Sequence, residues 1–114
     1  MTVNTAKKEG VPVVELSGRV HSSESPIMKR KLENAYRKKD ECIVVDITEV
    51  EFVDSQGLGI IVYYHTLLQK SGRRLVILNS SSDPDSYVTK LFNITNLDKV
   101  LNVVGSFQEI FKEI

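Results

Sequence analysis

The chain lacks several features that would place it in a class at once. Its single cysteine, Cys42, cannot form an internal disulfide or build a metal site alone. No apolar run approaches the roughly 20 residues of a membrane-spanning helix, and the N-terminus holds no apolar signal region, so we expect a cytosolic protein. The 15 basic and 15 acidic side chains cancel. That balance argues against nucleic acid as the main partner, since binding a phosphate backbone needs a basic excess.

Residues that commonly carry catalysis are also scarce. The only two histidines, His21 and His65, fall in different predicted elements, and no Cys/His cluster has metal-ligand spacing. The sequence contains no Gly-x-x-x-x-Gly-Lys phosphate loop. A nucleophilic serine would need a base within reach, which either histidine could supply only by a coincidence of the fold. We therefore predict that the chain is not an enzyme and uses no cofactor and no metal.

The 114 residues suit one domain with one core, and we assign residues 1–114 to it. Apolar patterning predicts five strands, at residues 2–8, 11–17, 42–47 continued by 50–53, 75–78 and 100–104. Capping residues and prolines predict four helix starts, near positions 25, 54, 83 and 106. The order predicts an α/β fold: a mixed, mostly parallel sheet of about five strands with an N-terminal antiparallel edge hairpin and about four helices.

Residues 54–59, Asp-Ser-Gln-Gly-Leu-Gly, join an apolar strand to the apolar helix at residues 60–68. They place Ser55 where a loop becomes a helix. The first N–H groups of a helix have no internal partner and carry partial positive charge, so a phosphate on Ser55 would be stabilised there. We hypothesise that Ser55 is a phosphorylation switch. The alternative is ordinary helix capping, for which serine and aspartate are the commonest residues.

The same helix has two features typical of a docking surface. Gly57 and Gly59 lie in its first turn, where each costs about 1 kcal/mol relative to alanine, so we expect bare backbone for a phosphate or another protein. Ile60, Tyr63 and Tyr64 lie largely away from the main apolar face. A helix that is apolar on more than one side is either buried on both or presents an exposed patch.

The first predicted helix carries the one concentration of basic residues in the chain. Two interpretations remain open, a solvated helix face or a docking surface for an acidic partner. The basic residues are Lys29, Arg30, Lys31, Arg37, Lys38 and Lys39.

Residues 54–59 resemble the Asp-Ser-x-Gly-Leu-Gly signature of the STAS domain of anti-sigma factor antagonists. The similarity extends to residues 44–53, 74–78 and 90–97, so it covers nearly the full length. The resemblance implies that Ser55 is phosphorylated by an anti-sigma factor that is also a serine kinase. The unphosphorylated protein would bind this kinase and free the sigma factor, thereby regulating transcription. A separate phosphatase would restore the serine.

The expected partner-binding surface surrounds this serine. It comprises Asp54, Gln56, Gly57, Gly59, Ile60, Tyr63, Tyr64 and His21. His21 is a departure from the family pattern, which usually has Gly-x-Leu/Ile-Asp where this chain has Gly-Arg-Val-His at residues 18–21. Loss of that carboxylate changes the local charge beside Ser55. An alternative function is a constitutive STAS interaction module in a stress-signalling scaffold or a lipid-transport complex.

Overall fold

The computed structural model describes residues 1–21, 23 and 25–112, without the side chains of Ser25 and Lys112. Positions 113 and 114 of the expected domain lie outside the described residues. The strands are β1 (Thr2–Lys8), β2 (Val11–Val20), β3 (Cys42–Val53), β4 (Arg74–Leu78) and β5 (Asn102–Val104). The helices are α1 (Ser25–Arg37), α2 (Ser55–Lys70), α3 (Tyr87–Thr95) and α4 (Glu109–Lys112), with a 3-10 turn at Leu97–Lys99.

The five strands form one sheet in the order β1-β2-β3-β4-β5. β1 pairs antiparallel with β2, and each later strand pairs parallel with its neighbour. The hairpin turn consists of Glu9 and Gly10, both with positive φ. This topology confirms the predicted mixed, mostly parallel sheet with an antiparallel edge hairpin.

The two faces of the sheet pack against different helices. On one face, Val45 and Ile77 belong to the larger core cluster, together with buried side chains of α1, α2 and α3. On the other, Val44 and Val76 pack with Ile110 of α4. Central parallel strands buried on both faces account for the nearly continuous apolar runs of β3 and β4. No helix among the described residues combines the length and the apolar character needed to cross a membrane.

β2 and β3 are longer than the sequence predicted. β2 continues to Val20 rather than ending at residue 17. Gly18 has φ of 79°, which a residue without a Cβ adopts readily, and the ladder to β3 shifts register beside it and then resumes. β3 is one strand rather than two pieces. The two strands therefore end side by side, with Val20 paired to Val53.

The start predicted for α3 near position 83 was wrong. Ser86 caps this helix, because its Oγ accepts the Thr89 N–H at 3.3 Å. Asp83 instead forms a turn, in which its Oδ1 accepts the Asp85 N–H at 2.9 Å. An aspartate can serve either arrangement, so the sequence alone did not distinguish them.

The C-terminal elements are also shorter than predicted. The 3-10 turn Leu97–Lys99 precedes β5, which begins at Asn102 rather than at residue 100. α4 begins at Glu109. The Glu109 carboxylate accepts the N–H of Gly105 at 3.1 Å. In a capping box it would accept the N–H of Ser106, so the predicted start near position 106 is not formed in that way.

The first residue of α3 covers an open strand edge. β4 pairs only with the first part of β3, so among the described residues the rest of β3 has a strand neighbour on its β2 side alone. The Tyr87 hydroxyl donates to the Val53 carbonyl at 3.1 Å and accepts the Val53 N–H at 3.3 Å. This pair of bonds holds the end of β3 in place directly before α2.

One hydrogen bond between side chains joins α1 to α2. Tyr64 is 2% exposed, and its hydroxyl donates to Glu33 Oε2 at 2.6 Å. Arg37 Nε donates to the other carboxylate oxygen at 3.3 Å. The bond from Tyr64 is the main cause that lowers the pKa of Glu33, because it stabilises the carboxylate. Burial, and after it the same bond, raise the pKa of Tyr64.

We predict that Tyr64→Phe lowers the free energy of unfolding by about 1 kcal/mol at pH 7, since it removes this bond with little change of shape. The folded-state pKa of Glu33 is lower than its unfolded-state pKa of about 4.3. The bond therefore adds fully to the free energy of unfolding above the unfolded-state pKa, and this stabilisation is lost as the pH falls through the folded-state pKa. Urea unfolding at pH 7 and at about pH 3 tests this. The difference between the two proteins should shrink at the lower pH, and an unchanged difference would contradict the assignment.

Candidate functional site

Asp54, rather than Ser55, caps α2. Its backbone is extended, with φ of −82° and ψ of 175°, and its Oδ1 accepts the Gly57 N–H at 2.9 Å. The Asp54 carbonyl accepts the Leu58 N–H at 3.1 Å, the first bond of the helix ladder. The capping alternative therefore applies to the aspartate. Ser55 is the first helical residue, and the cap does not use its hydroxyl.

The surroundings of Ser55 favour negative charge. Ser55 and Gln56 are both exposed. Their backbone N–H groups lie at the start of the helix, where no carbonyl of the helix itself can accept from them. The first turn itself contains no acidic side chain, although the Asp54 carboxylate caps it, and the aligned peptide dipoles place partial positive charge there. An anionic group on the Ser55 hydroxyl would lie in a favourable field.

Gly57 is buried, and packing requires that it have no side chain. A Cβ on Gly57 would lie 2.7 Å from Val53 Cγ2 and 3.2 Å from Val20 Cγ1. The first turn of α2 therefore lies directly on the ends of β2 and β3. The expectation that Gly57 offers bare backbone to a phosphate or a partner is corrected, because the sheet covers it and its N–H already bonds to Asp54. Gly59 is exposed, and a Cβ there would meet nothing within 4 Å.

The exposed side of α2 forms a continuous strip. Ser55, Gly59 and Tyr63 are four residues apart, so they lie on one side of the helix, and all three are exposed. Gln56 is exposed beside them, and Ile60 is half-buried. We call these five residues the α2 stripe. It contains five of the residues expected at the partner-binding surface or as its phosphorylation site.

Tyr64 does not belong to this exposed surface, which is a second correction. It is 2% exposed and lies in the core with Ile61 and Leu68. Neighbouring residues of a helix point about 100° apart, so Tyr63 and Tyr64 face different surroundings. The sequence contained a signal for this, because Tyr64 follows Ile61 by three positions and precedes Leu68 by four, the spacing of a buried face.

The carboxyl end of β2 forms the other side of the site. The Val20 carbonyl accepts the Asp54 N–H at 3.1 Å, which brings the chain at His21 alongside the start of α2. The His21 and Phe52 ring centroids are 5.2 Å apart. The Arg19 guanidinium lies over the same Phe52 ring, 4.6 Å from its centroid. These three side chains cluster at the strand ends. Arg19 and Phe52 each precede a residue that faces Gly57, so they lie on the other face of the sheet.

Sequence reasoning missed three residues near the ends of β2 and β3, which are Arg19, Phe52 and Tyr87. The Phe52 ring lies 5.9 Å from that of Tyr87, so the aromatic contact continues from β3 to α3. Side chains two apart in a strand share a face, so extending β2 to its true end would have grouped Arg19 with His21. Tyr87 comes from a distant helix, and no local pattern indicated its position.

One of the two candidate bases lies far from Ser55. His65, one of the two candidate bases, is 5% exposed and lies ten residues after Ser55, or about 15 Å along the helix axis. Within the described part of the chain, no group of three or more His, Cys, Asp or Glu side chains is placed to hold a metal ion.

The sequence is similar to those of known proteins. A family model described as the STAS domain matches residues 2–112. An anti-sigma F factor antagonist of Paenibacillus polymyxa is 26% identical over 95 residues, which is 82% of this chain and 78% of that protein.

Two solved structures have the same fold. An anti-sigma factor antagonist from Mycobacterium paratuberculosis has a TM-score of 0.82 at 21% identity, covering 99% of this chain and 92% of that chain. The Bacillus cell fate determinant SpoIIAA in its phosphorylated form has a TM-score of 0.69 at 18% identity, covering 98% of each chain. At such identities the likeness shows the fold.

We predict that Gly57→Ala lowers the free energy of unfolding by about 1–3 kcal/mol, because the new Cβ would overlap Val53. Gly59→Ala is the matched control in the same turn. With open space around its Cβ, it should raise the free energy of unfolding by up to about 1 kcal/mol. Urea unfolding measures both. Equal effects would mean that α2 does not rest on β2 and β3 in this way.

Proposed function

The chain belongs to the STAS domain family, and on that premise we propose that it is an anti-sigma factor antagonist controlled by phosphorylation of Ser55. The unphosphorylated protein binds an anti-sigma factor that is also a serine kinase, frees the sigma factor and thereby regulates transcription in the cytoplasm. A phosphatase acting on phosphorylated Ser55 reverses the switch. The protein itself acts as a binding protein and not as an enzyme.

The single observation that carries this proposal is the position of Ser55, exposed on the first residue of a helix that Asp54 already caps. A hydroxyl without a capping role is available to a kinase. Two comparisons support the assignment. The similar protein from Paenibacillus polymyxa is named an anti-sigma F factor antagonist, and one protein of the same fold was solved in a phosphorylated form.

The proposed docking surface is the α2 stripe together with the neighbouring Asp54 and His21. Gly59 lets a partner approach the backbone closely, while Ile60 and Tyr63 provide apolar area. A phosphate on Ser55 adds a charge of about −1.5 to −2 at neutral pH. Packing an apolar partner surface against this charge would remove its hydration, and an acidic partner surface would be repelled by it. A clash of about 3 kcal/mol weakens binding about a hundredfold.

The fold tolerates this added charge. The buried side of the same turn is held by the packing of Gly57 on Val53 and Val20 and by its bond to Asp54, and none of these contacts involves Ser55. The positive end of the α2 dipole offsets part of the phosphate charge. The switch therefore acts at the surface, with the core unchanged.

At the end of β2 this chain carries His21 where the family pattern leads one to expect a carboxylate, and Arg19 stands two residues before it. In the proposal, this edge contacts the kinase together with the α2 stripe. The negative charge of the usual acidic residue is absent there, so the cognate kinase must present a surface that does not depend on an anion at this position.

We predict that Ser55→Asp weakens binding to the purified cognate anti-sigma factor about a hundredfold, whereas Ser55→Ala stays within about threefold of the unmodified protein. Ser82→Asp, at an exposed serine outside the α2 stripe, is the matched control for added charge and should bind normally. Isothermal titration calorimetry measures all four proteins. Equal affinities for the wild type and both Ser55 variants would rule out the switch.

The departure at His21 favours one alternative, a constitutive interaction module of a stress-signalling scaffold or a lipid-transport complex. Such a module would hold a stable stoichiometric partner and would carry no phosphate on Ser55. Intact-mass and peptide mass spectrometry of the protein isolated from its own cells separates the two functions. The switch predicts a fraction of chains phosphorylated at Ser55 that changes with growth conditions, and the module predicts none.

A further inference from the structure

A groove runs between α1 and α2. It has a volume of about 440 Å³ and is lined by Pro26, Lys29, Arg30, Glu33, Tyr63 and Tyr64. Tyr63 belongs both to this groove and to the α2 stripe. It lies eight residues after Ser55, which corresponds to about 12 Å along the helix. The groove is thus distinct from the phosphorylation site but continuous with the surface around it.

The groove is cationic, although the chain as a whole is neutral. α2 contains no acidic residue, and α1 contains one, Glu33. The Glu33 carboxylate is already engaged by the Tyr64 hydroxyl at 2.6 Å and by Arg37 at 3.3 Å. Lys29 and Arg30 are exposed, and within the described part of the chain neither forms an ion pair, although Lys29 lies near enough to Glu33 to help lower its pKa. They supply the net positive charge of the groove.

One wall of the groove is an exposed aromatic ring that is held in position. Tyr63 is 55% exposed, and its ring meets that of Tyr64 edge to face, with centroids 5.2 Å apart and planes at 88°. Tyr64 is in turn fixed by burial and by its bond to Glu33. A ring with a rigid support loses little conformational freedom when a partner side chain packs on it.

We propose that this groove binds an acidic segment of a partner protein, with carboxylates against Lys29 and Arg30 and an apolar side chain against Tyr63. Charge complementarity selects the partner. A concave site with two available cations suits a peptide, whereas anionic membranes and nucleic acids are bound by larger basic clusters. The binding needs no phosphate on Ser55, so it goes beyond the proposed switch and does not stand or fall with it.

The probe is an N-acetylated, C-amidated peptide, Glu-Glu-Phe-Glu-Asp-Leu, titrated into the full ¹⁵N-labelled chain and followed by amide chemical shifts. The expected result is saturable binding that shifts the amide signals of the residues lining the groove. Lys29→Glu combined with Arg30→Glu should weaken it about tenfold or more. The matched control combines Lys31→Glu with Lys38→Glu, which lie where α1 faces β1 and β2, on the other side from the groove. Its affinity for the peptide should stay within about twofold of the wild type.

A second pair of variants tests the aromatic wall. Tyr63→Ala should weaken the peptide about threefold or more, and Ile94→Ala, at a hydrophobic residue 80% exposed on α3, should leave binding unchanged. The proposal would be overturned if the peptide showed no saturable binding, or if the Lys29/Arg30 and Lys31/Lys38 variants lost the same amount of affinity. It would also be overturned if a peptide with lysine in place of each acidic residue bound equally well, or if the chain bound phosphatidylserine vesicles and not the peptide.

Discussion

The contact between the first turn of α2 and the ends of β2 and β3 is the constraint on which the rest of the structure depends. Gly57 lies so close to Val53 and Val20 that no side chain fits between them, and the Asp54 N–H bonds to the Val20 carbonyl. These short contacts decide where the helix starts and how it is oriented over the sheet. Tyr87 completes the arrangement, because its two bonds to Val53 secure the one strand end that β4 does not reach.

This close contact separates the turn into two sides with different tasks. The buried side contributes stability through Gly57 and Ile61, and the exposed side presents Ser55 and Gly59. Because the Asp54 side chain satisfies the cap, the serine hydroxyl is not needed for folding. In the proposed switch, a charge added at Ser55 would alter what can dock on the surface without disturbing the packing beneath it. The same separation distinguishes the two glycines: packing against Val53 requires glycine at position 57, whereas a Cβ at position 59 would contact nothing.

Charge is distributed unevenly over a chain whose formal total is zero. The two long helices contain a single carboxylate, Glu33, and the buried Tyr64 hydroxyl together with Arg37 takes up its hydrogen-bonding capacity. The outer surface of α1 where it borders Tyr63 is consequently cationic. A phosphate at the α2 N-terminus would add negative charge about 12 Å along the helix from Tyr63, so the proposed switch and the proposed groove are separate electrostatic features of one helix pair.

The sequence by itself determined the order of elements, the parallel sheet with its edge hairpin and the placement of Ser55 at a helix start, because hydrophobic period and capping residues act over a few neighbouring positions. Tertiary structure decided the rest. It buried Gly57 and Tyr64, carried β2 on to Val20, moved the start of α3 to Ser86 and grouped Arg19, Phe52 and Tyr87 beside the site. Most of these features depend on partners from distant parts of the chain, whereas the start of α3 is set by the local bond between Ser86 and Thr89. Whether a side chain faces a partner or the core is set by what the folded chain places opposite it, and a local pattern such as the spacing of Tyr64 from Ile61 and Leu68 indicates this only in part.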